Sequence, residues 1–349
     1  MKKSGLLFLL YLICASPVLA VRVQTLYQGV LPVSSQATTL QSQLASDALA
    51  QVLVKVSGNN AVLNNPVVKS QSGSAMSLMQ EFGYAPAPHT PPNLKPWLLQ
   101  VNFDPEGVNQ LLRDAGQPIW GQNRPLLMVW LDYEVNGHPP AMIGADAGSD
   151  VSVMLKQQTD RRGLPVVFPA MDVTDLGQVS VNDIVTMALP KLMNAASRYT
   201  RDGMLIGRIQ QTASGYNTQW KLVVGHDQWG WNITGNHLMD ILASMSDHVA
   251  DALAGRYATV ISNTVQSEVT LKIVNVTEAD DFVQVMNYIK HLTPVSDVEV
   301  VQITGNELIL KVSLRGSDES FARALSVGQK MTPVATTGAP SDRVYQWNR

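Results

Sequence analysis

Six histidines, His89, His138, His226, His237, His248 and His291, are scattered singly along the 349 residues, with no HExxH pattern and no paired-histidine helix spacing. Zinc chemistry needs three or four such ligands at defined spacing, so no metal site is assigned. The nearest approach to a constellation is His226-Asp227 with His237, Asp240, Asp247 and His248. His237 and Asp240 would lie on one side of a helix, three residues apart. Those groups would suit a hydrolase or a ligand-binding enzyme; they also suit a hairpin end followed by a polar helix face, the reading preferred here. No GxSxG nucleophile elbow, no GxGxxG after a strand and no P-loop occurs. Glu278, Asp280 and Asp281 could be imagined as acid and base. They fall at an expected helix N-terminus, where the helix dipole alone favours negative charge by about 0.3–1 kcal/mol. No catalytic residue and no cofactor is assigned. The aromatic residues say more: Trp220, Trp229 and Trp231 fall on one expected hairpin, and Trp97, Trp120 and Trp130 surround the first domain junction. An exposed tryptophan cluster marks a partner site, a packed one marks a core.

Residues 1–20 carry the pattern of a cleavable export signal. Lys2 and Lys3 precede the apolar run LLFLLYLI, which is too short to span a bilayer, and Val18 and Ala20 supply the small residues before a cleavage site. The single cysteine, Cys14, lies inside this segment, in a context that favours cleavage after Ala20 over lipidation. The mature chain would then have no disulfide and no thiol chemistry. Removing Lys2 and Lys3 takes the formal charge from −3 to −5, and no Lys/Arg run stands out, so a nucleic-acid partner is not expected. Hydrophobic residues at 45% exclude intrinsic disorder.

Those residues must be positioned by α/β and α+β elements: mixed-sheet layer domains followed by a small ferredoxin-like domain. The first block, residues 21–122, opens on a strand, then places Leu40, Leu44, Leu49, Val52, Leu53 and Val56 on a helical stripe stopped by Gly58. A second helical segment is expected over residues 66–82, then a proline-rich loop over 85–92, a strand over 97–103, and a helix that starts at Asp104-Pro105. The second block, residues 123–260, reads as a buried strand from Leu126, a helix over 151–162, a strand over 164–169 and a helix over 183–199. A three-stranded meander over 203–209, 218–224 and 231–235 follows, with turns at Ser214-Gly215 and Gly230. Leu238, Ile241, Leu242, Met245, Val249 and Leu253 give the closing helix the cleanest period in the chain. The third block, residues 266–333, reads β-α-β-β-α, as in a ferredoxin-like layer. Residues 334–349 read as a flexible tail.

Several ordered pieces carry a family resemblance. They are ALAQVLVKVSGN (48–59), VNFD (101–104), LLRDAGQPIWG (111–121), and Arg124-Pro125 leading into Val129-Trp130-Leu131. Together they resemble the domain-of-unknown-function family 2066 of exported proteobacterial proteins, over roughly residues 21–257. That resemblance implies a periplasmic location and carries no catalytic residues. The stretch DGMLIGR (202–208), with its hairpin and helix, is also similar to envelope assembly domains of the Tol translocation and flagellar T-ring type, an analogy of fold alone. The expectation is a non-enzymatic soluble periplasmic protein, a binding or assembly component of a cell-envelope complex. An envelope hydrolase with a site near His226–His248 and a secreted effector are the alternatives. Partner identity and oligomeric state are not legible.

Overall fold

The computed structural model describes residues 23–37, 39–87, 95–135, 138–145, 149–199, 201–334 and 343–348. The export segment with Cys14, His89 and most of the proline-rich loop lie outside the described residues. In the first part of the chain, β1 (Gln28–Val33), β2 (Met79–Pro86) and β3 (Trp97–Phe103) form an antiparallel sheet ordered β1-β3-β2. The 16-residue α1 (Ser42–Ser57) buries Leu49, Val52, Leu53 and Val56 of the expected stripe, together with Ala45 and Ala48, while Leu40 precedes the helix and Leu44 is half-buried. It comes so close to β1 that a Cβ on Gly29 would lie 2.5 Å from the Ala48 carbonyl oxygen. Gly58 ends α1 in the left-handed region at φ 73. α2 (Pro66–Gln71), α3 (Ala75–Leu78) and α4 (Pro105–Asp114) complete this part, and Asp104 caps α4 by accepting from the Gly107 N–H. The helix expected over 66–82 stops at Leu78. Residues 79–86 are strand instead, because they pair with β3, a long-range ladder that outweighs local helical period.

The central part is a three-layer α/β/α sandwich. Its sheet contains β5 (Leu127–Glu134), β6 (Ala141–Ile143), β7 (Val166–Val167), β8 (Gly203–Thr212), β9 (Gly215–Val224) and β10 (Asp227–Gly235). The order is β10-β9-β8-β5-β6, with β7 also on β5; β5 runs parallel to β8 and β7, and the other pairs are antiparallel. α5 (Asp150–Arg161) and α9 (Leu238–Tyr257) pack on one face over Val129, Leu131, Leu205, Trp220 and Leu222. α6 (Val173–Gln178), α7 (Val181–Val185) and α8 (Leu189–Ala195) cover Met128, Trp130, Met204 and Ile206 on the other. The single helix expected over 183–199 is broken, since Met187 turns to φ 49 and Pro190 opens α8. The meander is longer than expected. Gly230 lies inside β10 opposite Lys221, and the turn falls at Gly225-His226, where Gly225 takes φ 59.

β4 (Pro118–Ile119) and β11 (Thr259–Val260) pair where the chain enters and leaves the central part. A buried cationic clamp fixes this junction. All five guanidinium N–H groups of Arg124 donate to main-chain oxygens, of Gly121, Arg162, Gly163, Lys55 and Trp120, with the Trp120 ring 3.9 Å beneath. Arg162, with a fully buried side chain, reaches the Gly58 carbonyl, Asp247 and Asp251. Lys55 donates to the Thr25 and Gln28 carbonyls, and burial lowers its ammonium to about 8.

The C-terminal part is β12 (Ser267–Val274), α10 (Ala279–Lys290), β13 (Val295–Thr304), β14 (Glu307–Leu314), α11 (Asp318–Ser326), β15 (Met331–Pro333) and β16 (Arg343–Trp347). The β-α-β-β-α order is as expected, but the sheet order β13-β14-β12-β16-β15 departs from a ferredoxin-like layer: β15, which follows α11, runs antiparallel to β12 but sits at the edge, because β16 is inserted between them, parallel to β12. Asp202 fastens it to the central part, accepting from the Leu126 and Gly328 N–H groups. The flexible tail is corrected here: residues 343–347 form a strand inside the sheet, between β12 and β15, and Trp347 is 1% exposed. Its partner strand β12 lies some seventy residues upstream, a pairing that local sequence does not reveal; residues 335–342 lie outside the described residues.

Candidate functional site

Sheet edges expose unpaired N–H and C=O groups, and proteins usually shield them with short strands, prolines, charges or bulges. β6 and β15 have three residues each. β1 contains Pro32, and β2 contains Glu81, Pro86 and a register shift. β13 has two register shifts and carries Asp297 and Glu299. β10 has almost none of these devices: nine residues, DQWGWNITG, pair with β9 in unbroken register, without proline or lysine. Its one charge, Asp227, is taken by Arg256. No other described strand pairs with its outer edge.

Alternation gives β10 two unlike faces. Trp229, Trp231 and Ile233 pack toward α9 but stay half-buried, while Gln228, Gly230, Asn232 and Thr234 are exposed. The His248 ring stacks on Trp231, with centroids 5.8 Å apart and planes 11° from parallel. Trp220, grouped with these two by sequence, behaves differently: it is 1% exposed, directly opposite Trp231, and its Nε1 donates to Thr218. Gly207 makes its room, since a Cβ there would lie 2.2 Å from the Trp220 ring. Trp220 therefore supports the edge from the neighbouring strand and is closed off from solvent, whereas Trp229 and Trp231 reach it.

The structure does not bring the His226–His248 set together. His226 sits in the turn before β10 and His237 caps α9 beyond its end, so a strand of roughly 30 Å separates them. Asp227 is held by Arg256, and Asp247 by Arg161 and Arg162. Asp281 accepts from the Thr277 and Glu278 N–H groups at the start of α10, as a helix cap does. Among the described residues, no group of three or more His, Cys, Asp or Glu side chains is placed to hold a metal ion. A cleft of about 340 Å³ lies between residues 23–25 and residues 163–166; its one charged pair is the exposed Lys156–Asp160 bridge.

One polar cluster escaped sequence reasoning. Asp132, at the carboxyl end of β5, is fully buried, lies 3.7 Å from Arg208 Nε, and has no hydrogen-bond partner on either oxygen. Burial, opposed by Arg208 and reinforced by Glu134, raises its carboxyl to about 6. Glu134 accepts from Gln210 and Arg208, which hold its carboxyl below the usual range. Asp132 lies opposite Arg208 across the parallel β5–β8 pair, so the cluster reads as a charge lock between the two strands. An aspartate directly after the run LLMVWL was its available signal.

Fold and surface together define a multi-domain α/β protein whose most distinctive feature is a bare sheet edge backed by tryptophan. The comparisons with known families divide the chain. Residues 265–349 match the family DUF2066, so the C-terminal part carries the resemblance, and residues 20–121 match another, the domain of unknown function DUF8605. The family-2066 likeness is thus present, in a different place from the motifs at 48–131 on which it was read. No curated protein and no solved structure matches the chain. No helix among the described residues is long and apolar enough to cross a membrane.

Proposed function

We propose that this chain is an exported, non-enzymatic binding or assembly component of a cell-envelope complex, and that it binds by strand addition at the β10 edge. The carrying observation is that β10, alone among the long described edge strands, has neither proline nor register shift, and its one charge, Asp227 at its first residue, is paired with Arg256. Main-chain hydrogen bonds along such an edge give affinity, and alternate side chains give specificity. Trp229, Trp231 and Ile233 offer apolar flanks to an incoming strand; the uncharged Gln228, Asn232 and Thr234 leave its other face free of electrostatic penalty. The export pattern of residues 1–20 supports the compartment.

A photo-reactive residue at Asn232, compared with one at Thr304 on β13, tests the reading in cells. Crosslinks are expected from Asn232 and not from Thr304. Crosslinks from Thr304 alone, or from neither, would refute strand addition at β10.

A further inference from the structure

We infer that the strand added to β10 is β10 of a second copy of this chain, paired antiparallel about a two-fold axis through Trp231. The inference rests on the strand-addition reading above and names the partner of that same edge. Isologous contacts demand a surface complementary to itself, and an antiparallel ladder demands that residues facing each other share a face of the sheet. β10 meets both conditions when its register is reflected about Trp231. Trp231 then faces Trp231 of the partner subunit, and Trp229 faces the partner's Ile233, so apolar meets apolar beside α9. On the exposed face Gln228 meets the partner's Thr234, and Gly230 meets the partner's Asn232.

Charge agrees with this register. Asp227 is the strand's one ionised residue; it is neutralised within its own chain by Arg256 and would face the partner's Gly235. No like-charged pair is created. The absence of any register shift over nine consecutive β9–β10 pairs keeps both faces in phase along the strand. On β13, by contrast, the shift between Val300 and Gln302 interrupts that phase. Pairing at β10 would join the two central sheets into one continuous sheet with all α9 contacts intact.

The test is sedimentation equilibrium of the full chain over a concentration series, with two variant pairs at exposed positions. Gln228→Glu with Thr234→Glu sets two glutamate pairs face to face across the axis. Gln228→Glu with Thr234→Lys sets two opposite-charge pairs there instead. The wild type is expected to dimerise, the Glu/Glu variant to dimerise at least about tenfold more weakly, and the Glu/Lys variant to recover. Circular dichroism verifies that each variant is folded, and a single Asn232→Lys gives a second way to charge the edge. A wild type monomeric at every concentration, or equal dimerisation by both variant pairs, overturns the inference. If that monomer still gives crosslinks from Asn232 to another protein, the second-copy partner fails while strand addition stands. If those crosslinks are missing too, both fail.

Discussion

β10 and β13 are both long edge strands with apolar side chains within reach of solvent, yet they are built in opposite ways. β13 exposes Val300, Val301 and Ile303, the last two at 59%. It also interrupts its ladder twice and carries Asp297 and Glu299. β10 keeps its apolar residues half-covered by α9 and leaves its backbone edge regular, with one charge, Asp227, that is paired with Arg256. Exposed apolar area alone would therefore rank β13 first. Main-chain geometry reverses the ranking, because a strand partner needs an uninterrupted row of N–H and C=O groups before side chains can contribute.

The comparison can be broken most forcefully at the support of each strand. Trp347→Ala should cost about 3–5 kcal/mol of C-terminal stability in denaturant unfolding, as for other fully buried tryptophans. It should leave association through β10 unchanged, and loss of that association would mean that the two regions are not independent. Gly207→Ala should cost about 1–3 kcal/mol by forcing Trp220 out of its place. Because Trp220 lies directly beside Trp231 across the β9–β10 ladder, this variant should also weaken association.

A subtler effect separates the interior of the central sheet from its edge. Asp132 binds its proton more tightly in the folded chain, at about 6, than in the unfolded one, so its contribution to stability falls as pH rises from about 4 to about 6. Asp132→Asn should remove that slope, worth about 1–3 kcal/mol across the window, with association unaffected. Unfolding followed from pH 4 to pH 7 measures it. The smallest effect belongs to β13: Val301→Lys should change neither association nor stability by more than about 0.5 kcal/mol, as expected for an exposed site.

Much of the fold was legible because its signals are local. The period of Leu238 to Leu253 gave α9, Asp104-Pro105 gave the start of α4, and the β-α-β-β-α order gave the C-terminal layer. The helix expected over 183–199 breaks for a local reason, the turn at Met187 and Pro190 that opens α8; two other misreadings share one physical cause, long-range pairing. Residues 79–86 become strand because β3 is beside them, and 343–347 because β12 is. The tryptophans of the meander show the limit for the site. Trp220 and Trp231 are direct partners in register, and what separates them is that β9 has a strand on each side while β10 has one. The number of neighbours a strand acquires is not written in its own residues. Asp132 was hidden for a related reason, since its significance depends on Arg208 facing it across the sheet.

The most direct measurement is hydrogen–deuterium exchange of the full chain at a concentration where it associates, compared with the same chain diluted below it. Amides of residues 228–234 should exchange faster on dilution, with residues 297–304 unchanged. Faster exchange at 297–304 with 228–234 unaltered, or no change at either edge, would contradict β10 as the docking strand.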